Sequence, residues 1–135
     1  MRSLPLVPLF VSLAACATPQ PGPGAGMVTL NGTASYRERI ALPPDARLIV
    51  TVSDVSLADA PSVTIAQTEV KTEGRQVPLP FALSYHPARI EPRRSYAVAA
   101  RILDGRGELA WITDKRNPLP PPGQPIELRL VQVRR

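Results

Sequence analysis

Few side chains in this 135-residue sequence are equipped for chemistry: it holds one thiol, Cys16, and one imidazole, His86. Catalysis by a serine nucleophile needs a neighbouring base and usually a strained strand-to-helix elbow, and no Gly-x-Ser-x-Gly stretch occurs. A metal site needs several ligands at short spacing, yet there is no histidine pair, no second thiol and no aspartate-rich calcium loop. Asp54 and Asp59 flank one loop, where aspartate serves turns by bonding its own backbone. His86, in Ser84-Tyr85-His86-Pro87, occupies a strand exit beside a proline, the place of a turn residue. No glycine-rich phosphate cradle leads from a strand into a helix, and nothing in the pattern supports a glycosidase carboxylate pair. The residues therefore read as those of a protein that is not an enzyme, with no catalytic, metal-binding or cofactor-binding positions.

Cys16 remains, and its thiol is a nucleophile to which a lipid can be joined. Leu13-Ala14-Ala15-Cys16 resembles the bacterial lipobox, since a signal peptidase groove accepts only small side chains beside the bond it cuts. Upstream, Met1-Arg2-Ser3 and the apolar run from Leu4 to Ala15 follow signal-peptide order. That run is shorter than the roughly 20 residues that span a bilayer, and Pro5 and Pro8 break it. Residues 1–15 are expected to be a cleaved signal peptide and Cys16 the lipidated N-terminus. An exported chain with one cysteine cannot close an internal disulfide. Two or three acyl chains such as palmitate, at about 0.8 kcal/mol per buried methylene, would hold the protein on a bilayer almost permanently. Ala17, not aspartate, follows the cysteine; by resemblance to known lipoprotein sorting, this implies the outer membrane with the chain facing the periplasm.

Residues 16–26 hold the cysteine and a Pro/Gly-rich stretch without large apolar side chains, which reads as a semi-extended tether. Residues 27–135 read as one domain. Seventeen prolines disfavour long helices, and with three Tyr, two Phe and one Trp the core must rest on Val, Ile, Leu and Ala. Short apolar runs between turn residues predict strands at Val28 to Tyr36, Arg47 to Val55, Val63 to Thr72, Val77 to Tyr85, Tyr96 to Leu103, Leu109 to Thr113 and Ile126 to Val133. The expected class is all-β, a small antiparallel β-sandwich of about seven strands, with a small barrel as the other architecture this count suits.

Alternation assigns Leu48, Val50 and Val52, then Phe81, Leu83 and Tyr85, then Tyr96, Val98, Ala100 and Ile102 to faces that meet in the core. Asp104-Gly105-Arg106-Gly107 predicts a hairpin that makes the fifth and sixth strands antiparallel neighbours. Pro78 and Pro80 cannot donate to a ladder and place the fourth strand at an edge. Leu119-Pro120-Pro121-Pro122-Gly123 predicts a stiff polyproline connection. Leu57 to Pro61 suits either a helical turn or an irregular loop.

The formal charge of +5 arises after His86, where ten Lys or Arg face five acids. A basic face would attract anionic lipid, acidic glycans or nucleic acid. The arginines are scattered, however, and no aromatic residues interleave with them, which reads as a solvated surface and argues against nucleic acid.

Ser35-Tyr36-Arg37-Glu38-Arg39-Ile40-Ala41-Leu42-Pro43-Pro44-Asp45-Ala46 and Val50-Thr51-Val52-Ser53-Asp54-Val55-Ser56-Leu57-Ala58-Asp59-Ala60-Pro61 resemble segments of the YbaY-type lipoprotein family, related to the YscW-like pilotins of type III secretion. Val77 to Phe81, Tyr85 to Ile90, Tyr96 to Ile102 and Ile112-Thr113-Asp114 extend the resemblance over nearly the whole mature domain. It implies a β-sandwich without catalytic residues. Pilotins bind a segment of a secretin subunit and help it reach or assemble in the outer membrane, so the implied role is a non-enzymatic binding or assembly factor. The partners implied are the membrane, through the N-terminal lipid, and an envelope protein such as a secretin segment. The alternative is an envelope stress or structural lipoprotein that contacts anionic lipid or peptidoglycan through a basic face. Edge-strand addition would be the mode for a peptide partner, along an edge other than the proline-bearing fourth strand.

Overall fold

The computed structural model describes residues 26–134, together with Ser3 and Pro5. The expected signal peptide, Cys16 and all of the tether but Gly26 lie outside the described residues. The strands are β1 (Val28–Ser35), β2 (Arg47–Asp54), β3 (Val63–Lys71), β4 (Leu79–Tyr85), β5 (Tyr96–Leu103), β6 (Leu109–Thr113), β7 (Asn117–Pro118) and β8 (Ile126–Gln132). A 3-10 turn at Pro87–Arg89 is the sole helical element among the described residues. Leu57 to Pro61 forms an irregular loop with a turn, not a helix.

The strands form one continuous sheet in the order β3-β2-β5-β6-β8-β1-β4, with β7 pairing β5 beside β6. β3 and β4, its two ends, approach each other and nearly close it into a barrel. The all-β expectation holds, and the two faces of the expected sandwich are opposite walls of this one curved sheet. Register shifts after Val52 and after Ile102 supply the extra local twist that lets a sheet coil.

The alternating residues behave as their period requires. Leu48, Val50, Val52, Leu83, Val98 and Ile102 are at most 1% exposed, and Phe81, Tyr85, Tyr96 and Ala100 join them in one core. At one end of that core Tyr36 and Trp111 stack face to face, ring centroids 3.6 Å apart and planes 6° from parallel. Asp104 shapes the β5–β6 hairpin: its Oδ1 accepts from the backbone N–H groups of Arg106 (2.9 Å) and Glu108 (3.0 Å), and Gly107 takes φ +80°. The Pro43-Pro44 segment is held by Gln76, whose side chain accepts from Leu42 N at 2.7 Å and donates to Leu42 O at 3.2 Å, as a neighbouring strand would.

β4 pairs with β1 alone, as Pro78 and Pro80 require, although the strand starts at Leu79, past the first of them. The free edge of β3 is shielded by two arginines. Arg89 Nη1 donates to Ile65 O at 3.0 Å, while Arg75 donates to Thr72 O and Lys71 O at 3.1 Å each.

One pairing departs from the expected antiparallel pattern: β8 runs parallel to β1, Gly32 opposite Ile126 through Ser35 opposite Arg129. Gly32 allows this close approach. A Cβ there would collide with the Ile126 carbonyl oxygen and come within 2.6 Å of Phe81 Cζ. Gly32→Ala is therefore expected to lower stability by about 1–3 kcal/mol, the usual cost of overpacking. A denaturant midpoint equal to that of the parent protein would show that β8 can simply move away.

Candidate functional site

The strand ends define two poles of the barrel. Val28, the first residue of β1, lies opposite Tyr85, the last of β4, and Asp54, the last of β2, lies opposite Tyr96, the first of β5. All four sit at the pole where the chain enters from the tether. A cavity of about 570 Å³ opens here, lined mainly by apolar groups that include Val28, Val55, Tyr85, Ile90, Tyr96 and Leu119. A volume in this range suits a small ligand or several side chains of a peptide.

Each wall has a local cause. His86 caps the 3-10 turn, its Nδ1 accepting from Ala88 N at 3.1 Å, and so fixes the exit from β4 that brings Ile90 to the cavity. The Tyr96 hydroxyl donates to Arg89 O at 3.1 Å and accepts from Glu91 N at 2.9 Å, tying the 86–95 connection across the barrel end. Leu119 N donates to Tyr96 O at 3.1 Å and anchors the Pro118–Pro122 wall, whose stiffness follows from its prolines. Burial raises the pKa of the Tyr85 phenol, which stays neutral at ordinary pH.

Two cations stand at the rim. Arg94 is occupied, donating to Asp54 Oδ2 at 2.9 Å and to Glu91 Oε2 at 2.7 Å. Asp54 also accepts from Ser56 N at 2.9 Å, and hydrogen bonding from Ser56, then Arg94, holds its carboxyl below the usual carboxylate range. Arg116 makes no ion pair among the described residues. An unoccupied guanidinium beside an apolar cavity can take a carboxylate of an amphipathic guest.

Of the residues singled out in the sequence, Cys16 lies outside the described region. Asp54 and His86 serve as turn residues, and Asp59 is exposed in the 55–62 loop. Arg37, Glu38 and Arg39 are exposed beyond the end of β1, while Tyr36, Phe81 and Tyr85 pack. No group of three or more potential metal ligands occurs among the described residues, and none of their helices is long and apolar enough to cross a membrane. The C-terminal basic residues are dispersed: Arg94 and Arg116 line the cavity, Arg101 lies on a side wall near Ile49 and Ile112, and Arg129 neighbours Arg37 and Glu38. The cavity itself was not legible in the sequence, since its walls come from five separate stretches; the proline run at 118–122 was its one local signal.

The described chain is thus a nearly closed all-β barrel with a mainly apolar cavity at its N-terminal pole. It belongs to the family described as type III secretion system lipoprotein chaperone (YscW), whose model matches residues 25–130. It is 40% identical to the uncharacterized lipoprotein YbaY of Escherichia coli (strain K12), an alignment that covers 91% of this chain and 74% of that protein. A solved structure described as an alternative pilotin from the type II secretion system of Vibrio cholerae matches with a TM-score of 0.74 and 40% identity, over 80% of this chain and 98% of that one. The family resemblance read from the sequence is thus confirmed.

Proposed function

We propose that this protein is a non-enzymatic assembly factor of pilotin type, anchored through Cys16 to the outer membrane and facing the periplasm. In this reading the apolar cavity holds a segment of an envelope protein such as a secretin subunit. The observation that carries it is the cavity: its walls are mainly apolar, and its rim carries the cations Arg94 and Arg116. Such a site suits holding an amphipathic chain more than transforming a substrate. The kinship with a lipoprotein chaperone family and a pilotin structure points the same way.

A photo-crosslinking residue at Leu119, introduced into the protein in its own cell envelope, is expected to trap a secretin subunit identifiable by mass spectrometry. The same residue at Arg106, on the distal hairpin, should not. Ile90→Arg, which places a charge on the cavity wall, should lower trapping from position 119 by about tenfold or more, the size of a lost hot spot. Ile90 is only partly buried, so the melting midpoint should change little. Equal trapping at both positions, or none at 119, would defeat the reading.

A further inference from the structure

Exposed apolar side chains are concentrated at one pole of the barrel. The large exposed hydrophobics among the described residues are Met27, Ile40, Leu57, Val63 and Ile112. Met27 precedes β1, Leu57 projects from the β2–β3 loop and Val63 opens β3 opposite Asp54, so three of these belong to the pole where the tether arrives. Leu57 and Val63 are the most exposed, at 67% and 59%. The loop that presents Leu57 has a pinned stem. Val55 N donates to Ser95 O and Ser95 N to Ser56 Oγ, both at 2.9 Å, so the loop is held against its neighbour at the base and projects beyond it.

The charges beside these residues fit a lipid surface. Arg94 is neutralised by Asp54 and Glu91, whereas Arg93 and Arg116 are exposed and make no ion pair among the described residues. Asp59 is the acid left in the same loop region. A guanidinium close to exposed leucine and valine can bind headgroup phosphate while the apolar side chains enter the interface.

The length of chain between Cys16 and the barrel puts this pole nearest the lipid anchor. Eleven residues, 17–27, separate Cys16 from Val28. A flexible linker of that length has a root-mean-square span of about 18 Å, and a polyproline-like one reaches about 34 Å. The eight residues of β1 carry the chain roughly 26 Å further before the opposite pole is reached. A domain tethered so closely experiences a high effective concentration of lipid, so that a small apolar contact suffices to orient it.

We propose that the tether pole is a bilayer-docking face: Leu57 and Val63 enter the headgroup region of the anchoring membrane, and Arg93 and Arg116 meet lipid phosphates. The inference rests on Cys16 being the lipid anchor. It adds a fixed orientation to that anchor, with the mouth of the cavity turned toward the membrane, so that an apolar segment at the interface enters without crossing open water.

The test uses the full acylated protein in vesicles of phosphatidylethanolamine and phosphatidylglycerol. Because Cys16 is the one native cysteine and acylation blocks it, Leu57→Cys or Arg106→Cys gives a single labelling site for an environment-sensitive fluorophore. The fluorophore at 57 is expected to be quenched by nitroxide-labelled lipid and that at 106, on the distal hairpin, to be unaffected. Moving the label to Ala58→Cys and adding Val63→Asp and Leu57→Asp should abolish the quenching while the protein stays vesicle-bound. Equal quenching at 57 and 106, or none at 57, would overturn the docking face while leaving the anchor intact. An intact mass without acyl chains would instead overturn the anchor, and the docking face with it.

Discussion

Replacement of Cys16 by serine is expected to abolish the acyl mass, leave the precursor with its signal peptide uncleaved and remove the protein from the outer-membrane fraction. A hydroxyl at this position cannot take the place of the thiolate nucleophile, so diacylglycerol transfer fails and cleavage at the lipobox fails with it. The effect should be nearly complete. One acyl chain gives only marginal, reversible binding, whereas two or three hold a protein essentially without release, and the docking contacts inferred above are too small to retain the domain alone. Intact mass and membrane fractionation of the two proteins side by side, with and without the lipoprotein signal peptidase inhibitor globomycin, check this. A serine variant that reaches the outer-membrane fraction, cleaved, as fully as the parent would show that the anchor lies elsewhere. An unmodified, soluble parent would overturn the assignment to the outer membrane as well.

The second large effect is expected in the core. Trp111 is 3% exposed and stacks on Tyr36, so that Trp111→Ala removes the largest side chain of the barrel interior and leaves Tyr36 facing a void. Large-to-small changes of this kind cost about 3–5 kcal/mol. Against a total stability of roughly 5–15 kcal/mol, typical of natural domains, that is enough to leave a sizeable unfolded population at moderate temperature. Trp111→Phe keeps a ring against Tyr36 and should lose clearly less. Chemical denaturation followed by far-ultraviolet circular dichroism is the suitable measurement, since the variants lack the single tryptophan that fluorescence would report. An alanine variant within about 1 kcal/mol of the parent would mean that the barrel end collapses to refill the space.

The strand positions were legible because their causes are local. The period-two alternation of Leu48, Val50 and Val52, or of Tyr96 to Ile102, requires one face to be buried whatever lies across from it. The Asp104 to Gly107 turn carries its own hydrogen bonds, and the prolines around β4 remove donors without reference to any partner. The seven expected strands all occur, and the short β7 at Asn117–Pro118 was missed because two residues have no period. Its signal lies in a side chain instead: Asn117 Nδ2 donates to Lys115 O at 2.9 Å and reaches Val98 O at 3.4 Å.

By itself the sequence determined the all-β class, the core-facing residues, the turn roles of Asp54 and His86, and the family. Each of these is set by neighbours within a few residues or by motifs that run along the chain. Only the tertiary structure decided that the sheet coils into a nearly closed barrel rather than two facing layers, that β8 lies parallel to β1 against Gly32, and that a cavity forms at the tether pole. Those features join residues as distant as Gly32 and Ile126, or Val28 and Leu119. Their register is set by bulges, by the space a missing Cβ leaves and by the reach of a proline-rich crossing, none of which has a repeating signature along the chain.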